Sequence, residues 1–139
     1  TGFRIGWAVS NEEIIKLLLK VKTNIDSGIF GAIQEASIIA LEKEEQYTEN
    51  LRKIFKERRD IFLEGLRKKG FVGYSESTFY VWTKLPKNFK SSLEFCKYLL
   101  EKNKILITPG IGFGKYGEGF IRFALTVDKE LLKEAISLL

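Results

Sequence analysis

The spacing of apolar residues divides the chain into stretches of period two and stretches near period 3.6. Phe3, Ile5, Trp7 and Val9 alternate with Arg4, Gly6 and Ala8, which predicts a strand. Ser10-Asn11-Glu12-Glu13 has the form of a capping box and opens a helix predicted over about 11–23. Asp26-Ser27-Gly28 ends it. Ser27 is placed to cap a second helix over 28–46, and Thr48 a third over 49–69. In that third helix Leu51, Ile54, Phe55, Ile61, Phe62 and Leu66 form one apolar stripe, and Gly70 supplies a stop. Two strands are predicted next, Phe71 to Tyr74 and Thr78 to Leu85, the second closed by Pro86. Ser91-Ser92-Leu93-Glu94 is a further capping box, for a helix to about 102. Ile105-Leu106-Ile107 reads as a short buried strand, Thr108 to Gly119 as a glycine-rich loop and Phe120 to Leu125 as a strand. A last helix is predicted over 129–138, with Leu131, Leu132, Ala135 and Ile136 inward.

From residue 49 onward the order is therefore α-β-β-α-β-β-α. It predicts an α+β unit with its helices packed on one small sheet. Residues 1–47 give a lone strand and two helices, as though cut from a neighbouring domain. The organisation expected is thus 1–47 as a remnant and 48–139 as a domain with its own core.

Composition narrows the chemistry. With 45% hydrophobic and 29% charged residues in 139, the chain is long and apolar enough to fold. Histidine is absent, which removes histidine metal sites, Ser-His-Asp triads and Cys-His pairs; no metal site is expected. Cys96 is the single cysteine, so no internal disulfide forms, and its place in an amphipathic helix makes it a core residue. The net charge of +5 comes with acidic residues interspersed throughout, which reads as a solvated lysine-rich surface and not a nucleic-acid face. No apolar run approaches the ~20 residues of a membrane span. Methionine is absent, so Thr1 is read as lying inside a longer protein. A lone cysteine and abundant lysine fit the cytoplasm.

The arginines stand out. The chain has 17 lysines and 6 arginines. Arg52, Arg58, Arg59 and Arg67 fall on the long helix, where a solvated face is expected. Arg4 and Arg122 instead sit inside apolar strands, in Phe-Arg-Ile-Gly-Trp and Phe-Ile-Arg-Phe-Ala. Arginine offers a planar fork that meets a carboxylate or phosphate in two parallel bonds, and lysine does not. Gly6 and Ala124, each two places further along the same face, leave room for an anion. The alternatives are a surface arginine or an internal ion pair.

The loop from Thr108 holds Gly112, Gly114 and Gly117 at G-x-G-x-x-G spacing, but a strand follows it where a dinucleotide fingerprint needs a helix. Tyr116 to Phe123 partly matches an RNA-recognition strand, yet Tyr116 replaces the required cation and Glu118 a base-stacking aromatic. Glu12-Glu13 and Glu44-Glu45 are read as helix-surface charges.

At these residues a family resemblance appears. Gly2-Phe3-Arg4-Ile5-Gly6-Trp7 resembles the end of the S-K-x-x-x-[ML]-x-G-[FW]-R-[ILV]-G motif of class I/II aminotransferases, the fold type I pyridoxal-phosphate enzymes. Asn24 to Phe30, Ala32 to Ala36, Glu57 to Asp60, Thr78 to Trp82, Thr108-Pro109-Gly110, Phe113-Gly114 and Gly117 to Arg122 follow in matching order. The resemblance covers the whole chain and corresponds to about the last third of such an enzyme. Its wording is most similar to the LL-diaminopimelate aminotransferases. It implies a small C-terminal domain over 48–139, preceded in 1–47 by part of the large cofactor-binding domain. It implies that Arg4 binds the phosphate of pyridoxal 5'-phosphate, that Arg122 holds the substrate α-carboxylate, and that Asn24 lies near the partner subunit's active site. It places the Schiff-base lysine upstream of Thr1, so no catalytic residue is assigned here and the isolated chain is expected to be inactive. Transamination between an amino acid and a 2-oxo acid such as 2-oxoglutarate follows, in a homodimer without nucleic-acid or membrane partners. A non-catalytic folded fragment or interaction module is the alternative.

Overall fold

The computed structural model describes residues 2–139. The chain separates into two compact units, one ending at Thr48 and one running Glu49–Leu139.

The first unit holds helices α1 (Glu12–Lys22) and α2 (Gly31–Glu42) and the start of α3 (Glu44–Lys68). Asn11 caps α1: its Oδ1 accepts from Ile14 N at 2.9 Å, and Glu12 and Glu13 in the first turn suit the helix dipole. Three expectations are corrected here. Phe3 to Val9 is not a strand. Alternation provides an apolar face, but a strand also needs a ladder for its N–H and C=O groups, and no other strand lies among the unit's described residues. Ser27 does not cap α2, which begins at Gly31 after Phe30 without a side-chain cap. The turn before it is closed by Asp26, whose Oδ1 accepts from Gly28 N at 2.8 Å and pairs with Lys22. Thr48 lies within α3 and caps nothing, because the break falls at Lys43. None of the described residues of α1 and α2 is buried.

The second unit is built on a four-stranded antiparallel sheet in the order β1-β2-β4-β3. Its strands are β1 (Gly73–Tyr74), β2 (Tyr80–Lys84), β3 (Thr108–Pro109) and β4 (Phe120–Ala124). Alternation along β2 and β4 sends Val81, Thr83, Ile121 and Phe123 to one face, where they are buried. Onto that face pack Phe62 and Leu66 of α3, Phe95, Cys96 and Leu99 of α4 (Ser92–Asn103) and Leu132 of α5 (Lys129–Leu138). The rings of Phe62 and Phe123 meet edge to face at 5.1 Å. This is the predicted α+β layer arrangement, with helices on one side of the sheet.

The predicted strand at Ile105–Ile107 is displaced. Lys104 turns left-handed to stop α4, and Ile105 N returns to Leu99 O at 3.2 Å, so pairing with β4 starts only at Thr108. Pro109 is tolerated because β3 is an edge strand. Leu51, Ile54 and Leu131, expected inward, are about half exposed. Arg58, expected on a solvated helix face, is half-buried. Its Nη1 donates to Leu125 O at 3.1 Å and Thr126 O at 3.3 Å, satisfying the carbonyls where the chain leaves β4.

Candidate functional site

The face of the sheet away from the helices carries Tyr80 and Trp82 from β2 and Phe120 and Arg122 from β4, all half-buried. Register sets Arg122 opposite Trp82 on one side and Thr108 on the other. The Arg122 guanidinium carbon lies 3.9 Å from the centre of the Tyr80 ring and 4.5 Å from that of Phe113. Two aromatic rings therefore confine the guanidinium, a contact suited to a planar, weakly hydrated cation. Trp82 supports the group, stacked on Phe120 at 5.6 Å and edge-on to Phe113 at 5.4 Å. Arg122 Nε is buried and has no hydrogen-bond partner, and no carboxylate among the described residues forms an ion pair with Arg122.

Phe113 reaches Arg122 from the glycine-rich loop, which consists of two 3-10 turns, Gly110–Phe113 and Lys115–Gly117. The two turns press together. A methyl group on Gly110 would overlap the carbonyl oxygens of Gly117 and Phe120, and one on Gly117 would overlap that of Gly110. Ser92, fully buried at the first turn of α4, ties this loop to Glu118. Bonds from the Gly119 and Ser92 amides hold the Glu118 carboxyl below the usual carboxylate range. Burial, with a smaller contribution from Glu118, pushes the Cys96 thiol up to about 11, so it is a core residue and no nucleophile at neutral pH.

Arg4 and Asn24 belong to the first unit. Arg4 is exposed and sits at φ 57°, outside any strand. A left-handed arginine is disfavoured by about 1–2 kcal/mol. Its guanidinium makes no hydrogen bond or ion pair with the described residues, and space around Gly2 and Gly6 is open. Asn24 is exposed at the end of α1, where its Nδ2 donates to Lys20 O at 2.7 Å.

The sequence pattern finds Arg122 but not its neighbours' parts. Alternation through Phe79-Tyr80-Val81-Trp82 signals that Tyr80 and Trp82 share a face. Nothing local signals Phe113, Ser92 or Glu118, because their contacts join segments distant in the chain.

The sheet face thus presents, between aromatic rings and beside a tight glycine loop, an arginine with no ion-pair partner among the described residues. Comparison with known proteins gives the chain's family. Residues 1–139 match the family profile "Aminotransferase class I and II", and the chain belongs to that family. It is 47% identical over 137 residues to LL-diaminopimelate aminotransferase of Halothermothrix orenii, covering 98% of this chain and 35% of that protein. It is 49% identical over 137 residues to the enzyme of the same name from Natranaerobius thermophilus, with the same coverage. The chain thus spans about 35% of the length of these relatives. Among solved structures, an aminotransferase from Staphylococcus aureus superimposes with a TM-score of 0.87 at 36% identity, over 99% of this chain and 36% of that one. A probable N-succinyldiaminopimelate aminotransferase from Thermus thermophilus does so with a TM-score of 0.85 at 32% identity, over 99% and 37%. Fold type I aminotransferases are thus its structural neighbours.

Proposed function

We propose that the chain is the C-terminal part of a pyridoxal-phosphate-dependent aminotransferase. The enzyme moves an amino group between an amino acid, LL-diaminopimelate foremost, and a 2-oxo acid such as 2-oxoglutarate. The observation that carries this reading is Arg122, held between Tyr80 and Phe113 with no ion-pair partner among the described residues. In the proposal its guanidinium receives the α-carboxylate of the amino acid. The aromatic rings keep water from competing and fix the plane of the fork, which orients the Cα–H bond for cleavage. Arg4 receives the cofactor phosphate, and its open surroundings support that role. Asn24 contributes to the substrate site of the adjoining subunit in a cytoplasmic homodimer. Pyridoxal phosphate, when bound, supplies an electron-accepting ring that stabilises the carbanion left as the Cα proton departs.

In this reading residues 1–47 belong to the large domain and its connecting helices, and 48–139 form the small domain. The motif that contains Arg4 puts the cofactor-bearing lysine before Thr1, so the 139-residue chain by itself is inactive. The preference for LL-diaminopimelate rests on the named relatives. It is tested with the full-length enzyme, by measuring 2-oxoglutarate-dependent transamination of LL-diaminopimelate against aspartate, alanine and an aromatic amino acid. The expected result is turnover of LL-diaminopimelate with the highest kcat/KM. Equal or better turnover of the others would reassign the substrate, and no transamination of any of them would overturn the reading.

A further inference from the structure

The Glu118 carboxylate bonds directly to Ser92 and Gly119 beside the arginine site, and through Ser92 to the loop that carries Phe113. Oε1 accepts from Ser92 N at 2.7 Å and from Gly119 N at 2.9 Å. Oε2 accepts from Ser92 Oγ at 3.1 Å. The buried Ser92 hydroxyl, its one proton given to Glu118, accepts in turn from Ile111 N at 3.3 Å. Ile111 is the second residue of the turn Gly110–Phe113, and its carbonyl accepts from Gly114 N at 3.0 Å. Phe113 ends that turn and covers one side of the Arg122 guanidinium. Gly119 leads into β4, and its carbonyl accepts from Leu85 N at 2.8 Å. One carboxylate thus joins the start of α4, the loop that carries Phe113 and the strand that carries Arg122.

We propose that Glu118 is a positioning residue for carboxylate recognition: through Ser92 and Ile111 it fixes Phe113 over Arg122. The proposal rests on the reading of Arg122 as the carboxylate-binding arginine. Two consequences serve that role. Arg122 is ordered before a ligand arrives, so the cost of immobilising its long side chain falls on folding and not on binding. Glu118, its oxygens occupied by three donors, stays off Arg122 and leaves the fork open for the ligand.

The test uses the full-length holoenzyme and glutarate, a carboxylate that does not react, titrated by calorimetry. Glu118→Gln keeps an acceptor for the two backbone amides and loses the one for the Ser92 hydroxyl. It is expected to raise the glutarate Kd about tenfold, equivalent to about 1.4 kcal/mol. Ser92→Ala is expected to raise it about threefold, with amide exchange at Ile111 and Phe113 faster in both variants. Pyridoxal-phosphate affinity should stay within about twofold, while KM for the amino acid rises with the glutarate Kd. Unchanged glutarate affinity in a folded Glu118→Gln protein, or an equal loss of cofactor affinity, would overturn the proposal. If Glu118→Gln does not fold, Ser92→Ala decides by the same criteria. Arg122→Lys run alongside separates the two readings. Weaker glutarate binding there, with none in Glu118→Gln, removes only the role of Glu118. Unchanged binding in Arg122→Lys removes both.

Discussion

The stretch before Glu49 and the stretch from it onward carry similar apolar periodicity, yet only the second buries what it carries. In α1, Leu17, Leu18, Leu19 and Val21 are all about half exposed. In α4, Phe95 and Leu99 are almost fully buried against the sheet. Phe3, Trp7 and Val9 are 74%, 66% and 88% exposed, whereas Val81 and Ile121 are fully buried. An amphipathic pattern states that a face wants a partner. Burial then depends on whether that partner lies among the same residues. The second unit contains its partners. In the proposed enzyme the first unit finds them in the large domain and the second subunit.

The comparison is sharpest in a pair of truncations at aromatic residues. Phe62→Ala removes a ring 1% exposed at the centre of the core and should cost about 3–5 kcal/mol. Trp7→Ala removes a larger ring, 66% exposed, and should change the stability of the 139-residue chain by no more than about 0.5 kcal/mol. Urea unfolding of both variants, followed by circular dichroism, checks this; equal losses would show that the first unit has a core of its own.

A smaller loss is expected from Gly110→Ala. Its new methyl would meet the backbone oxygens of Gly117 and Phe120, so the loop must part, at about 1–3 kcal/mol. Gly6→Ala, in open space before α1, should be near neutral. Thermal melts of the two variants give the contrast, and a neutral Gly110→Ala would mean that the two turns are not in contact.

Acid should produce the mildest effect. Glu118 is held below its ordinary value of 4.5 first by Gly119 N–H and then by Ser92 N–H, and Glu57 is held below its own by Lys129. Both carboxyls are lower in the folded state than in the unfolded one. Their stabilisation is therefore complete above the ordinary value and is lost as pH falls through the lowered one. The melting temperature should fall as pH drops below the ordinary carboxyl value of 4.5, with a shallower fall in Glu118→Gln. Identical pH profiles would show that Glu118 is not coupled to folding.

The same contrast between local and distant partners governs what the sequence reveals. Local signals are reliable. The box Ser91-Ser92-Leu93-Glu94 marks the start of α4, with Glu94 N bonded to the Ser91 side chain, and the box Ser10-Asn11-Glu12-Glu13 marks that of α1 one residue out, the cap being Asn11 and not Ser10, with Ile14 N bonded to it. The alternation in Phe120 to Ala124 separates the buried Ile121 and Phe123 from the half-buried Phe120 and Arg122, and Arg122 stands out because its neighbours are apolar. What fails depends on partners distant in the chain. Phe3 to Val9 has a strand's pattern and no ladder. Thr48 is a capping residue type lying inside α3, in its second turn. Arg58 reads as a surface charge because the carbonyls it satisfies, at Leu125 and Thr126, lie across the fold. Glu118 shows only its charge in the sequence, whereas two of its three hydrogen bonds come from Ser92, 26 residues away in the chain.

The central claim is that Arg122 receives the substrate carboxylate. Arg122→Lys in the full-length enzyme keeps the charge and removes the planar fork between Tyr80 and Phe113. The decisive quantity is kcat/KM for the amino-acid substrate, measured together with the dissociation constant of pyridoxal phosphate. The expected result is a loss of about 2–4 kcal/mol in transition-state binding with cofactor affinity nearly unchanged. A kcat/KM close to that of the unmodified enzyme would contradict it.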